Sequence, residues 1–372
     1  MPRRATPRVL FRLSFVASTA LGCACGAPAA ESPPPTSPAT TTTPAASPPG
    51  SADYEVHEWG LLRAGDGDVL TLGAAAPPIS FVPMAVEKPV LYFHASAPIT
   101  LRSVVASITG GTIAEAWPLV PFGESVTWTD VRIDPTASCP PAPLPSATEA
   151  PCAALPAGES CETTSLAAVR THEAACVTVG SASEGFLFYR GRVTRFTPPL
   201  RFERVPGSTT GEISVTNESD VEIPGVLVRI RSEMARSETL TAAPPGPHQS
   251  VIVGSDFAAQ AGAEDLVETP MAEEIVVAST TAAGRAGIRR SAQALGLTDQ
   301  EVAVFLSAWG DALFGRDGEM AERTPAPREA FVYFLPESLD DDVATLTFDP
   351  PPRTLRRALA VWSIVPATGP SH

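Results

Sequence analysis

Lysine is almost absent from this chain. Lys88 stands alone against 25 arginines, a bias we read mainly as that of a GC-rich coding sequence. Basic charge is scarce as a whole: 26 Lys and Arg face 41 Asp and Glu, for a formal net charge of −15. A surface of that sign repels phosphate backbones and excludes nucleic acid as a partner. The signatures of common chemistries are also missing. There is no G-x-S-x-G elbow, no H-E-x-x-H, no Walker loop and no dinucleotide-binding glycine fingerprint. The apolar run at the start, "LSFVASTAL" from Leu13 to Leu21, is too short to cross a bilayer as a permanent helix.

What that run does have is the setting of a secretory signal. Arg3, Arg4, Arg8 and Arg12 supply a positive stretch before it, and small residues follow it. "ALGCAC", from Ala20 to Cys25, is similar to a bacterial lipobox, with Cys23 as the residue to be lipidated. Each buried methylene of an acyl chain adds about 0.8 kcal/mol, so two or three chains would hold the protein on a membrane. Residues 23–52 then form a Pro/Thr/Ala-rich tether with no large apolar residue, too poor to offset its ordering entropy and biased to extended polyproline II. The expected organisation is a signal over 1–22, the lipidated tether over 23–52, one folded domain over 53–366 and a short tail over 367–372.

The four remaining cysteines, Cys139, Cys152, Cys161 and Cys176, lie close together and contain no C-x-x-C pair. In an exported chain they read as two disulfides, with the pairing open among three possibilities, in preference to a zinc site. The segment between them is poor in core residues, which predicts a surface excursion over 134–180 stapled by its own bridges.

Around it the pattern is that of strands. Runs such as "KPVLYFHA" (Lys88 to Ala95), "ITLRSVVASI" (Ile99 to Ile108), "SVTWTDVRI" (Ser125 to Ile133) and "GVLVRIRSEM" (Gly225 to Met234) are rich in β-branched and aromatic residues, and several alternate apolar with polar. Between 272 and 315 the period becomes helical. Gly296 is placed to end one helix, Thr298 and Glu301 form a capping box for the next, and Val302, Phe305, Leu306, Trp309 and Leu313 share one face. Strand patterns return afterwards. The fold class expected is mainly β: a β-sandwich-like body with an inserted helix pair and a disulfide-stapled surface excursion.

The string "VHEWG" together with "KPVLYF", "AWP", "FLFYRG", a Gly-Leu turn before an acidic helix start with a following "AW", and a final strand block after "DPPP" resembles a family of exported bacterial proteins that carry an HEWGTFTS-like motif. The resemblance runs from Val56 to about Val365. This chain departs from the pattern with "LLRA" (Leu61 to Ala64) and "AVWS" (Ala360 to Ser363). What the resemblance implies concerns architecture; it brings no activity with it.

The motif raises the question of chemistry. On a strand successive side chains face opposite ways, so His57 and Glu58 cannot line one pocket without a bulge, and His57 shares its face with Glu55 and Trp59. His57 and Glu58 are the catalytic candidates. A carboxylate or second ligand for His57 could come from Glu55, Glu115, His94 or Glu173. The reading we favour is structural, with His57 hydrogen-bonded beside a packed Trp59. Trp59, Tyr189 and Arg190 are the binding candidates, although strand-end packing is the favoured reading of the last two. His172 and the run Asp340, Asp341 and Asp342 read as solvated, and Asp66 and Asp68 as a turn in preference to a calcium loop. No cofactor and no metal is expected. The function expected is that of a membrane-tethered, non-catalytic envelope module binding a protein or glycan. The alternative is an envelope hydrolase that uses His57 with a carboxylate and is in one version metal-dependent.

Overall fold

The strand patterns of the sequence become three sheets in the computed structural model, which describes residues 52–64, 84–155, 161–171, 173–193, 196–208, 211–233, 236–254, 281–314 and 329–365. Residues 1–51, with Cys23 and the tether, lie outside the described residues, as do Asp66, Asp68 and His172.

In chain order the strands are β1 (Ala52–Ala64), β2 (Met84–Ala95), β3 (Ile99–Ile108), β4 (Thr112–Trp117), β5 (Ser125–Asp134), β6 (Cys176–Val179), β7 (Ala182–Glu184) and β8 (Leu187–Val193). There follow β9 (Leu200–Arg204), β10 (Ile213–Asn217), β11 (Leu227–Glu233), β12 (Arg236–Ala242), β13 (Ser250–Val253), β14 (Glu329–Phe334), β15 (Ala344–Asp349) and β16 (Pro352–Ile364). The helices are α1 (Thr281–Ala294), α2 (Asp299–Phe314) and the short α3 (Glu337–Val343). The fold is mainly β.

An eight-stranded sheet of order β12-β11-β14-β16-β1-β2-β8-β4 forms the centre, with a five-stranded sheet β15-β3-β5-β6-β7 and a three-stranded sheet β13-β10-β9 beside it. Among the described residues every strand pairing is antiparallel except one. The first and last described strands, β1 and β16, run parallel, with His57 opposite Arg356, Glu58 opposite Arg357 and Trp59 opposite Ala358. Strands distant in sequence thus close the middle of the sheet.

The central sheet is covered on both faces, and β1 shows how the alternation divides them. Tyr54, Val56 and Leu62 point into a core shared with Val104, Trp128 and Val131 of the five-stranded sheet and Ile213 and Val215 of the three-stranded one. That is the sandwich. Trp59 and Leu61 point the other way, into a second core with Tyr92, Phe305, Leu306 and Trp309. Burying each large apolar side chain contributes about 1.5–3 kcal/mol, and Trp59, Tyr92 and Phe305 are all fully buried.

The helix pair forms the layer over this second face. Gly296, at φ +96°, ends α1 in the left-handed region that favours glycine. The capping box read from the sequence is present: Glu301 N–H donates to Thr298 Oγ1 at 3.2 Å, and Thr298 N–H donates to Glu301 Oε2 at 2.8 Å. Of the expected helical span 272–315, residues 272–280 and 315 lie outside the described residues.

The cysteines pair as Cys139–Cys176 and Cys152–Cys161, the second bridge nested inside the first. The excursion they staple is not wholly at the surface. Its 3-10 helix Glu162–Val169 buries Leu166 and Val169 in the second core, and Tyr92 donates its hydroxyl to Val169 O at 2.5 Å. Leu166 and Val169, together with buried Thr163, dock a segment whose composition is otherwise that of a loop. Asp340 also differs from the solvated loop expected of the 340–342 run: α3 forms there and turns Asp340 inward to 1% exposure. None of the helices among the described residues is long and apolar enough to cross a membrane, and two disulfides belong to an oxidising, extracytoplasmic compartment.

Candidate functional site

The four residues of the HEWG motif each meet a different part of the protein. Trp59 is sealed in the second core, edge-on to Phe305 with ring centroids 5.5 Å apart. Gly60 sits where β2 bulges towards β1; a Cβ there would come within 3.2 Å of Pro89 Cα and 3.4 Å of a Leu359 methyl, so the strand crosses this point most easily without a side chain. Glu58 points into the sandwich core and His57 to the helix layer, on opposite faces as the period of a strand requires.

Glu58 is fully buried and held by two partners. Tyr189 donates its hydroxyl to Oε1 at 2.5 Å, and Arg357, paired with Glu58 across the parallel ladder, donates Nε to Oε2 at 2.5 Å. Arg357 also reaches Asp341 Oδ1 at 2.9 Å and Ala344 O at 2.8 Å. Burial pushes the Tyr189 hydroxyl well above its ordinary pKa, and the Glu58 charge adds to that. Asp340 stands near this group with neither carboxylate oxygen hydrogen-bonded. Burial raises its pKa to about 8, against the pull of Arg357.

On the other face His57 meets a carboxylate that the sequence reading placed elsewhere. Its Nδ1 lies 2.9 Å from Glu301 Oε2 and 3.1 Å from Oε1. His94 Nε2 lies 2.9 Å from Glu301 Oε1. One buried carboxylate at the start of α2 therefore receives both imidazoles as well as the Thr298 N–H. The two rings are 4.4 Å apart, because His94 pairs with Glu55 in the β1–β2 register and so sits diagonally across from His57. The remaining ring nitrogen of His57 faces Glu55 Oε2 at 3.7 Å. Burial disfavours the Glu301 charge, but the hydrogen bonds from His57 and His94 outweigh it and bring the carboxyl down to about 2.

Exposure falls off from the outside inwards. The side chain of His94 is 23% exposed, that of His57 8% and that of Glu301 0%. His94 borders an open groove lined by Asp53, Glu55, Ser96 and Arg353. Arg353 donates to Asp53 at 2.9 Å and to Glu55 at 2.6 Å, and Ser96 donates to Asp53 at 3.0 Å. The hydrogen bond from Arg353 is the main cause that holds the Glu55 carboxyl below its ordinary pKa.

Of the partners considered for His57, the structure brings together His94 and Glu55. Glu115 is buried on β4 instead, with Arg190 as its ion-pair partner and the Thr163 N–H and hydroxyl donating at 2.9 and 2.7 Å. Glu173 is exposed and is not among the residues whose ligand atoms cluster with His57. The binding candidates Trp59, Tyr189 and Arg190 are buried, at 0%, 0% and 9% exposure, so none offers a surface to a ligand in this conformation. Arg190 belongs to Glu115, and Tyr189 to Glu58.

Glu301 is the residue that the sequence reading placed only as a helix cap. A signal for more was present: Glu301 stands four residues before Phe305 and eight before Trp309, on the stripe that α2 buries, and a buried carboxylate must have a partner. No family model, no curated protein and no solved structure matches this chain.

Proposed function

We propose that the protein works outside the cytoplasm as a membrane-tethered, non-catalytic module of the cell envelope, which binds a protein or glycan at the open polar groove beside His94. The observation that carries this reading is how the motif residues are engaged. His57 holds Glu301, Glu58 holds Arg357 and Tyr189, and Trp59 fills the core, so all three candidates serve the frame. The groove, in contrast, gathers partly exposed donors and acceptors from three segments, where β1 and β16 begin and β2 ends at one end of the central sheet. That combination suits recognition of a polar ligand. The two disulfides support an oxidising location, and the lipobox-like stretch at Cys23 with the following tether supports attachment through a lipid.

The experiment is a glycan array and an envelope-extract pulldown with the full-length chain and its Arg353→Ala variant. Loss of a saturable ligand in the variant, with unchanged circular dichroism, supports the reading. Lipid attachment is tested by metabolic labelling with an acyl analogue, which Cys23→Ala should abolish.

A second reading, an envelope hydrolase using His57 with a carboxylate, draws on one feature. His57 Nδ1 rests on buried Glu301, which would orient the imidazole as a base. Hydrolytic turnover lost in His57→Ala, without loss of stability, would favour it over the binding module.

A further inference from the structure

We infer that His57, His94 and Glu301 form a site for a divalent transition-metal ion of the zinc type, at the junction of β1, β2 and α2. The three residues each offer a ligand atom, and these atoms lie within 4.8 Å of one another. A tetrahedral zinc centre with metal–ligand bonds of about 2.0–2.1 Å places its ligand atoms about 3.3 Å apart. The separations between Glu301 oxygens and the two imidazole nitrogens, 2.9 to 3.1 Å, are already near that figure. Two imidazoles and one carboxylate form a donor set suited to zinc and its neighbours in the first transition row, and unlike the all-oxygen shells of calcium or magnesium.

The surroundings fit a ligand set held for an ion. Thr298 N–H fixes one Glu301 oxygen and leaves the other turned towards His94. The outward nitrogen of His57 faces Glu55, which Arg353 holds in turn. A metal-ligating histidine commonly donates its second nitrogen to a carboxylate; here Glu55 Oε2 stands 3.7 Å away, beyond hydrogen-bond distance, and acts on the imidazole through its charge. The site joins two strands of the central sheet to the inserted helix pair, so an ion there would tie the insertion down. His94, the most exposed of the three, borders the groove, from which water or a ligand group could complete the shell. The inference stands whether or not the groove binds a protein or glycan.

The test uses the full-length protein, stripped with a chelator and titrated with zinc chloride in a calorimeter. The readouts are bound zinc per chain and a rise in melting temperature. One ion per chain is expected for the wild type, no saturable binding for His94→Ala, and a roughly tenfold or greater loss of affinity for Glu55→Gln, the response typical of an outer-shell carboxylate. His94→Ala alters a partly exposed side chain and should retain the wild-type circular dichroism. A wild type that takes up no zinc overturns the inference. So does one-to-one binding retained in His94→Ala, which would move the ion elsewhere, for example to the exposed pair His248 and Asp220. Should His94→Ala fail to fold, cobalt substitution of the wild type decides: a tetrahedral visible spectrum supports the site, and the spectrum of hexaaquo-like cobalt overturns it.

Discussion

Glu301 and His57 are 244 residues apart in the chain and 2.9 Å apart in the fold. Their contact joins the inserted helix pair to the central sheet, and the same carboxylate closes the capping box that starts α2. Removing His57 should therefore loosen the helix layer. In chelator-treated protein, His57→Ala is expected to lower stability by about 1.5–3 kcal/mol, the range for a hydrogen bond to a charged group. For a body of this size that is a fall of several degrees in melting temperature. An unchanged melting curve would mean that the pair is held for chemistry and not for the frame.

Arg357 and Glu58 face each other on the parallel strands β16 and β1, inside the sandwich. Taking away one member of a buried pair leaves a bare charge, at a cost of about 3–5 kcal/mol, whereas replacing both is far milder. Arg357→Met alone should be severely destabilising in urea denaturation, and addition of Glu58→Gln should recover part of the loss. If the double variant is as unstable as the sum of the two single ones, the charges are not coupled as their geometry indicates.

Asp340 gives the protein a pH dependence of definite sign. Its carboxyl is buried and pushed up to about 8 from an ordinary value of 3.8, so between those two values the folded chain holds a proton that the unfolded chain has released. Stability contributed at this position therefore falls as pH rises from about 4 to about 8, and then levels off. Asp340→Asn removes the ionisable group and keeps the shape. The variant should match the wild type near pH 4 and exceed it by several kcal/mol at pH 9, because each pH unit between the two values contributes about 1.4 kcal/mol. A difference that stays flat across this interval would show that the ionised carboxylate is accommodated inside.

Much of this fold is legible in the sequence where local pattern and long-range packing agree. The run at Ile99 to Ile108 coincides with β3, because alternation writes the buried face into the chain. The same period of two puts His57 and Glu58 on opposite faces from adjacency in the chain alone. Among the elements that escaped, with β9, β12 and β13, are some made by their partners. β6 and β7 have only four and three residues; β6 exists because β5 offers an edge to pair with, and β7 because β6 does. α3 escaped because a run of three aspartates has the composition of a loop, and only packing under β16 draws Asp340 inside. At the candidate site, His57 and His94 could be named and Glu301 located as a cap. That one carboxylate joins them follows from the phase of α2 on the sheet, which no local pattern encodes.

The two disulfides allow a comparison of loop closure with local contact. Cys139–Cys176 spans 37 residues and Cys152–Cys161 spans 9. By chain entropy alone the longer loop is worth about 3.8 kcal/mol and the shorter about 2.6. Because the bridges are nested, the inner one shortens the free length of the outer loop when both are present, which narrows the gap without reversing it. Double replacement by serine at Cys139 and Cys176 should therefore cost about 1 kcal/mol more than the same change at Cys152 and Cys161, read from urea midpoints at equal slope. The inner bridge has a second effect, however. It places Cys161 just before Thr163, whose N–H and hydroxyl clamp Glu115 and, through it, the buried Arg190. If loss of the inner bridge proves the costlier, the ordering of that clamp outweighs the length of the loop, and Thr163→Ala should reproduce most of the excess with both disulfides intact.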